Sequence, residues 1–493
     1  MLVAGHEAVA ASGETLSVLN PATGEEIAEV PAGAAEDVDR AVRAAQQAFD
    51  DGPWPRLGIH ERARVLNRFA DLLEDRLGDL FALETKNNGR PVIETRAQLG
   101  RLPEWYRYNA ALLLADRGDV IPMKGPYLNY LQRYPLGVCG ILPSYNHPLM
   151  ILSKSLAAAL ATGNTVVVKP SELTPLTTLE LARVALEAGI PEGVLNVVTG
   201  IGNEAGAALA EHPLVAKISF TGGTEVGKSV AVATARRLAR STTELGGKAP
   251  VIVFADAGLE RAVSGAAFGA FIAAGQTCIC GSRILVERSI HEEFVKALSA
   301  RAAGIRVGDP AEETTQLGPV ISSGQRERVL GYCAVGEEEG ARVAAGGAAS
   351  RLDAPLDGGF FVEPTVLADV ENEMRVAQEE IFGPVAVVIP FDGEDDAIAK
   401  ANGVPFGLGS AVWTRDVARA HRVAGQIEAG MVWVNDHHRL DPASPWGGVK
   451  ESGIGREGGW ESFHDFTHIR SVTVRTADDD VDWYGDTAPD RLN

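Results

Sequence analysis

The sequence predicts an α/β fold with two doubly wound α/β domains, a Rossmann-like one and a second one, and a small β arm. Short apolar strands alternate with helices from Gly137 onward, and a second alternating series runs from Leu259 to about Asn435. Such alternation implies right-handed crossovers and parallel sheets. The 493 residues are too many for one hydrophobic core, which also favours two large domains.

Each element of this fold is predicted by its own local pattern. Turn residues at 20–24 precede three amphipathic helical patterns, at 34–49, 62–76 and 79–87. Residues 127–134 alternate in the manner of an exposed strand. Five apolar strands follow, separated by helices such as 176–188, and they span 138–142, 165–169, 196–198, 217–220 and 250–254.

Composition narrows the class of protein. The hydrophobic fraction of 45% and the charged fraction of 23% are those of an ordinary globular protein. The formal net charge of −21 argues against nucleic acid or an anionic membrane as a partner, because both would repel the surface. No apolar stretch is long enough for a membrane span, and no basic segment followed by an apolar one resembles a signal peptide. We therefore expect a cytoplasmic location.

Cysteine is scarce, with four residues in the chain. That number is too small for a disulfide framework and suits a reducing compartment. Cys278 and Cys280 form a Cys-x-Cys pair, but no second Cys/His pair stands at zinc-ligand spacing, so we expect no metal site.

Two segments carry the parts that covalent catalysis needs. Cys278 lies in the small-residue-rich loop 275–283, and Glu244 precedes a Gly-Gly turn. A thiolate attacks a carbonyl carbon, and a carboxylate then activates a water. Most cysteines are only small buried hydrophobes, so neither segment would be convincing alone.

Together with Asn146 in the segment 141–148, these segments resemble the aldehyde dehydrogenase superfamily, and the resemblance runs from about Leu19 to Arg475. It implies oxidation of an aldehyde to a carboxylic acid by a metal-free, non-acylating enzyme. Cys278 would be the nucleophile that forms a thiohemiacetal and then a thioester, and Glu244 would activate the hydrolytic water. The Asn146 amide and the Cys278 N–H would hold the oxyanion. Cys280 would be inert packing, or would trap Cys278 as a disulfide under oxidation.

The resemblance also implies a nicotinamide cofactor. A carboxylate at Glu172 would accept from the ribose 2′-hydroxyl and repel a 2′-phosphate, so NAD is expected over NADP, with NADP possible. Gly200 is expected to line the same cleft. The expected cofactor contacts are Lys169, Ser171, Glu172, Gly202, Gly206, Phe220, Gly222, Gly223, Leu245, Glu380 and Phe382.

Two rival functions remain open at this point. Gly222 to Ser229 fits the phosphate-loop pattern G-x-x-x-x-G-K-[ST] after a strand, which is the context of an NTPase. Asp256 is the candidate magnesium ligand for such an enzyme. An inactive structural member of the fold is the other rival, although the intact nucleophile and base weigh against it.

The substrate is predicted from the residues that the resemblance places along a tunnel. Two histidines and a lysine make that tunnel polar, which favours a semialdehyde or a hydroxylated aromatic aldehyde. Trp446 also suggests the aromatic cage of betaine-aldehyde enzymes, but the Lys154 cation would oppose a cationic substrate. The expected tunnel residues are His147, Met150, Ile151, Lys154, Ile272, Thr277, Ile279, His438, Leu440 and Trp446.

One position departs from the family pattern. Ser155 stands where the family often has a lysine, nine residues after the asparagine, and Lys154 comes one place earlier. Whether Lys154 and Glu457 form a proton relay is therefore left open.

The domain division and assembly follow from the same resemblance. We expect an NAD-binding domain at 1–117 and 136–246, and a catalytic domain at 247–447. Residues 118–135 and 468–493 are expected to form an oligomerisation arm and an acidic tail. The expected assembly is a homodimer or homotetramer.

Overall fold

A computed structural model, which describes residues 1–478 and Tyr484, confirms the predicted α/β class. The first sheet has eight strands in the described part of the chain, and its five central strands are parallel. Short strands at Leu2–Val3, His6–Glu7 and Gly453–Ile454 flank them. The parallel strands are β1 (Val138–Leu142), β2 (Thr165–Val168), β3 (Leu195–Val197), β4 (Val215–Thr221) and β5 (Arg240–Glu244).

The order of these five strands across the sheet is β3-β2-β1-β4-β5. The chain therefore adds β2 and β3 on one side of β1, and then crosses back to add β4 and β5 on the other side. In open parallel sheets a ligand cleft forms at such a reversal, beyond the carboxyl ends of the strands. The fold thus places a cleft next to Leu142 and Thr221, where β1 and β4 end.

The second sheet is built in the same way from the following stretch of chain. Its parallel strands run β8-β9-β7-β6-β10-β11, and an antiparallel strand at Arg342–Ala345 borders β8. The six are β6 (Pro250–Val253), β7 (Arg283–Glu287), β8 (Thr365–Ala368), β9 (Val385–Phe391), β10 (Gly409–Trp413) and β11 (Met431–Val434).

Helices pack around both sheets. Helix α1 (Pro148–Ala161) is mostly apolar, with Lys154 as its one charged residue, and every one of its residues is buried, as expected of a central helix. Helix α2 (Thr224–Ala235) follows β4, and α3 (Ser323–Glu338) belongs to the second half. The others are Ala35–Asp50, Ile59–Asp75, Leu77–Asn88, Val92–Leu99, Leu102–Ala115, Leu176–Glu187, Ala207–Glu211, Leu259–Phe271, His291–Ala303, Arg375–Gln378, Gly393–Asn402, Val417–Ala424 and Gly459–Asp465.

Smaller sheets complete the architecture. The predicted exposed strand is confirmed as Tyr127–Pro135, which pairs with Thr467–Arg475 over nine residue pairs and with Val120–Ile121 on its other side. Two further pairs are antiparallel hairpin-like sheets, Thr15–Leu19 with Glu26–Pro31 and Phe406–Gly407 with Val449–Lys450.

Parts of the sequence-based organisation stay predictions. The domain boundaries and the homodimer or homotetramer are among them. The acidic tail lies outside the described residues from 479 onward, apart from Tyr484. Within the residues that are described, every helix is too short or too polar to cross a bilayer.

Candidate active site

A cavity of about 950 Å³ lies at the carboxyl ends of the first sheet. Leu142 at the end of β1, Thr221 at the end of β4 and Glu244 at the end of β5 all line it. Glu380 and Phe382, which precede β9 of the second sheet, close it from the other side. The cavity is therefore the cleft that the strand order predicts, bounded by both sheets.

The structure brings the predicted catalytic and cofactor residues together around this one cavity. They come from seven separate stretches of sequence. Gly200, which was also predicted to line the cleft, does not line this cavity. A Cβ at this position would lie 2.2 Å from the Gly33 carbonyl oxygen, so a glycine here allows close packing of the backbone. The residues that line the cavity are Asn146, Lys169, Ser171, Glu172, Gly202, Gly206, Phe220, Gly222, Gly223, Glu244, Leu245, Cys278, Glu380 and Phe382.

The loop that carries Cys278 has an unusual backbone. Ala273 and Ala274 have φ values of +53° and +52°, in the left-handed region that L residues other than Asn and Gly rarely occupy. Gly275 follows at φ +70°, where a Cβ would lie 2.0 Å from the Gly383 oxygen. The Ala273 N–H donates to the buried carboxylate of Glu94 (3.1 Å), which holds the turn. Strain of this kind fixes the direction in which the loop presents Cys278.

Asn146 is oriented toward that loop by three hydrogen bonds. Its Nδ2 donates to the Gln276 carbonyl (2.8 Å), and its Oδ1 accepts from the Ser144 hydroxyl (2.6 Å). Asn88 Nδ2 donates to the Asn146 carbonyl oxygen (3.3 Å). The amide nitrogen carries a second hydrogen that has no partner among the described residues, and Asn146 lines the same cavity as Cys278. This is the arrangement that an oxyanion donor requires.

Glu244 is a buried carboxyl group with an unusual environment. Neither of its oxygens accepts a hydrogen bond of ordinary geometry from the described residues. Burial raises the pKa of Glu244 well above its usual range, and the nearby Glu457 carboxylate raises it further. A carboxylate with a raised pKa is a stronger base, and this property suits the activation of a water near neutral pH.

Lys154 lies between the two buried glutamates and an aromatic ring. Its Nζ is 3.7 Å from Glu457 Oε2 and 3.8 Å from the centroid of the Trp446 ring. Ser155 donates from its hydroxyl to Glu457 Oε1 (2.9 Å). Ser155 and Lys154 therefore each fix one oxygen of the Glu457 carboxylate.

Burial also dominates the two cysteines of the loop. It raises the pKa of Cys278 to about 12, while the Lys154 cation opposes this effect and the Glu244 and Glu380 carboxylates add to it. The Cys280 thiol lies 3.4 Å from the Ala270 carbonyl, and its pKa is raised to about 12. The contact with Ala270 supports packing as the role of Cys280.

The cofactor side of the cavity offers donors, acceptors and open backbone. Lys169 Nζ and Glu172 Oε2 are 3.1 Å apart. Gly223 caps α2 without a side-chain hydrogen bond, and a Cβ at this position would meet nothing within 4 Å. An open helix N-terminus of this kind accommodates a pyrophosphate. The charges, the volume and this open terminus all fit a dinucleotide.

Two further residues that line the cavity were not predicted from the sequence. Gln325 donates from its amide to the Phe382 carbonyl (2.8 Å), and Arg328 donates to the Glu380 carbonyl (2.7 Å). Both side chains line the cavity from α3. They orient the segment that carries Glu380 and Phe382. No motif surrounds them, so only the tertiary structure reveals this role.

The predicted tunnel residues do not line this cavity. Ile279 and Trp446 form a small apolar cluster with Leu408, against which Cys278 packs, and Thr277 is buried beside them. Met150, in the first turn of α1, is buried in the hydrophobic core. Their role in substrate binding stays a prediction. The other predicted tunnel residues are half-buried or buried: His147, Ile151, Lys154, Ile272, His438 and Leu440.

The phosphate-loop match is not a phosphate loop in the structure. Helix α2 begins at Thr224, so Gly227, Lys228 and Ser229 lie inside a helix instead of a loop. Lys228 pairs with Glu225 (2.9 Å) on the exposed face. Asp256 is engaged by Thr414 and Arg419. The loop that would wrap a triphosphate is therefore missing from this segment.

The fold and the cavity together define a dinucleotide-binding α/β protein with a cysteine at the end of its cleft. Comparison with protein families matches residues 8–472 to the aldehyde dehydrogenase family. DhaS of Bacillus subtilis is 43% identical over 471 residues, which cover 95% of this chain and 94% of DhaS. The chain belongs to the aldehyde dehydrogenase family.

Solved structures agree with this assignment. PnpE from Pseudomonas sp. WBC-3 matches with a TM-score of 0.95 and 43% identity, covering 98% of this chain and 99% of PnpE. The betaine aldehyde dehydrogenase of Staphylococcus aureus, in complex with NAD+, matches with a TM-score of 0.96 and 37% identity. That match covers 99% of this chain and 96% of the S. aureus chain.

Proposed function

We propose that the protein oxidises an aldehyde to a carboxylic acid with NAD. The observation that carries the proposal is that Asn146, Glu244 and Cys278 line the same cavity as the predicted dinucleotide contacts. Solved relatives with NAD bound, PnpE and the S. aureus enzyme, support the choice of cofactor.

The chemistry follows from the positions of these side chains. The Cys278 thiolate adds to the aldehyde carbon, and the Asn146 amide and the Cys278 N–H donate to the oxyanion of the thiohemiacetal. When bound, NAD would supply the acceptor for the hydride that leaves the thiohemiacetal carbon, and the acyl group then remains on Cys278 as a thioester. Glu244 then removes a proton from water, which attacks the thioester and releases the acid.

Aldehyde-dependent formation of NADH tests the proposal directly. We expect multiple turnovers with at least one member of a panel that contains succinic semialdehyde, benzaldehyde, hexanal and betaine aldehyde. NADH in an amount equal to the enzyme, without turnover, would instead favour an inactive member of the fold. Hydrolysis of ATP that is lost in Lys228→Ala, without any NADH, would favour an NTPase.

We expect NAD to be preferred over NADP because of the Glu172 carboxylate. Glu172→Gln keeps a hydrogen-bonding group but removes the charge that repels a 2′-phosphate, so the ratio of kcat/KM for NAD over NADP should fall by about tenfold. Glu187→Gln, on an exposed helix end, is the control. An unchanged ratio in Glu172→Gln would assign cofactor choice to another residue.

The substrate we propose is neutral or anionic, such as a hydroxylated aromatic aldehyde or a semialdehyde. Betaine aldehyde is the alternative, because the S. aureus relative is named for it. A quaternary ammonium ion binds over an aromatic face, but Lys154 already lies 3.8 Å from the Trp446 ring centroid. The chain's own cation thus occupies the place that a cationic substrate would need.

Removing that cation should open the ring to cationic aldehydes. Because Glu457 would be left as a buried charge, the test uses Lys154→Met combined with Glu457→Gln. We expect the ratio of kcat/KM for betaine aldehyde over hexanal to rise by about tenfold in the double variant, since a desolvated cation–π contact contributes roughly 2 kcal/mol. A wild-type preference for betaine aldehyde would contradict the proposed substrate charge.

A further inference from the structure

A polar chain of contacts behind the active site fixes the proton position of one histidine. Gln98 Oε1 is 2.8 Å from Arg90 Nη1 and 3.1 Å from His147 Nδ1. A guanidinium group only donates, so the Gln98 atom that faces Arg90 must be the amide oxygen. That oxygen cannot donate to His147. The Nδ1 atom of His147 therefore carries a hydrogen and donates it to Gln98.

It follows that the other ring nitrogen of His147 is an acceptor. A neutral imidazole with its hydrogen on Nδ1 has a lone pair on Nε2. Burial lowers the pKa of His147 well below its usual range, and the positive charges of Arg90 and Lys154 lower it further, so the ring stays neutral. Nε2 has no hydrogen-bonding partner among the described residues, and it is not among the buried unpaired atoms.

The other two ionisable side chains predicted for the tunnel are already engaged. His438 Nδ1 is 2.6 Å from His437 Nδ1, and the Nε2 atom of His438 is sealed from solvent. The Lys154 ammonium is engaged by Glu457 and Trp446. Of these three ionisable side chains, His147, which directly follows Asn146, is therefore the one with a free nitrogen lone pair.

We propose that His147 is a specificity-determining residue that accepts a hydrogen bond from a hydroxyl group on the substrate. This inference rests on the proposed function and narrows its substrate class to hydroxylated aldehydes. A hydroxyl group can donate to the Nε2 lone pair, whereas a carboxylate only accepts. A carboxylate oxygen would bring its lone pairs close to the Nε2 lone pair, and the two acceptors would repel each other. A terminal methyl group would leave Nε2 without a partner once water is displaced.

The test uses three aldehydes on one scaffold, namely benzaldehydes that carry a hydroxymethyl, a methyl or a carboxyl group, in the meta and para series. In at least one series, we expect wild-type kcat/KM to be about tenfold higher for the hydroxymethyl compound than for the methyl compound, and lowest for the carboxyl compound. His147→Leu should lower only the hydroxymethyl value, which brings the first ratio to about one. His147→Gln, which places an amide oxygen near the Nε2 position, should keep the preference.

A second variant tests the fixed proton position itself. Gln98→Met removes the acceptor for Nδ1, so the His147 ring can also place its hydrogen on Nε2 and donate. The carboxyl compound should then gain relative to the hydroxymethyl compound. Equal losses on all three aldehydes in His147→Leu, or a wild-type preference for the methyl or carboxyl compound, would overturn the role of His147 alone. No NADH from any of the three would overturn the proposed function as well.

Discussion

Cys278→Ala is expected to abolish aldehyde-dependent NADH turnover, with kcat reduced by about four orders of magnitude or more. Without the sulfur no thiohemiacetal forms. A free or hydrated aldehyde is not bonded to the enzyme, so its carbon is not held in place for hydride transfer. NADH formation in the steady state is the measurement. Because Cys278 is half-buried at the cavity wall, its loss should leave the fold intact.

Cys280→Ala is the matched control for this substitution. The two thiols are two residues apart, and burial raises the pKa of both to about 12. Only Cys278 lines the cavity, whereas Cys280 contacts the Ala270 carbonyl. We expect Cys280→Ala to keep near wild-type turnover. A loss of turnover in the Cys280 variant, together with activity in Cys278→Ala, would exchange their roles.

Binding of NAD separates a chemical defect from a folding defect. Cys278→Ala should still be stabilised by NAD, because ligand binding to the native state raises the melting temperature by mass action. The same NAD-dependent increase in Tm as in wild type would show that the cleft survives. If the increase disappears, the substitution has damaged the cofactor site and says nothing about the nucleophile.

The fold was predictable from the sequence because its strands are short, apolar and separated by helical patterns. The predicted strand at 138–142 matches β1, and the helix predicted at 176–188 is observed as Leu176–Glu187. Errors fall at element ends. The helix predicted from residue 62 begins at Ile59, because its first turn is exposed and polar and therefore shows no hydrophobic periodicity.

Site residues that belong to sequence motifs could be predicted. Site residues that only the tertiary structure brings together could not. Cys278 and Glu244 stand in recognisable segments, so their roles could be inferred from the chain alone. Gln98 and Arg90 stand in an ordinary helix and the turn before it, yet they fix the His147 tautomer across a long sequence separation. Side-chain direction and proton position depend on packing, which periodicity does not report.

Glu244→Gln is expected to separate the two half-reactions. Hydride transfer needs Cys278, the oxyanion donors and NAD, so the variant should produce about one NADH per site in a rapid first turnover. Hydrolysis needs a base, so later turnovers should be about a thousandfold slower than wild type. The substitution conserves size and removes a buried carboxyl group that has no ordinary hydrogen bond, so the fold should tolerate it.

The pH profile gives a second readout for the same residue. The pKa of Glu244 is raised above its usual range, so the carboxylate loses its ability to accept a proton as pH falls through that raised value. Wild-type kcat should therefore fall on the acidic side at a pH above the ordinary glutamate range. In Glu244→Gln that acidic limb should disappear, because an amide does not titrate there.

An added nucleophile shows whether the stalled species is an acyl-enzyme. Hydroxylamine attacks a thioester without needing a protein base, so it should restore turnover in Glu244→Gln and release a hydroxamate. It should not restore turnover in Cys278→Ala, which forms no thioester. A wild-type steady-state rate in Glu244→Gln would move the base to another group, and Glu457 would be the first to test because its carboxyl group raises the pKa of Glu244. A slow variant without a burst of NADH would instead place Glu244 in the hydride-transfer step, through the charge it exerts on the Cys278 thiol.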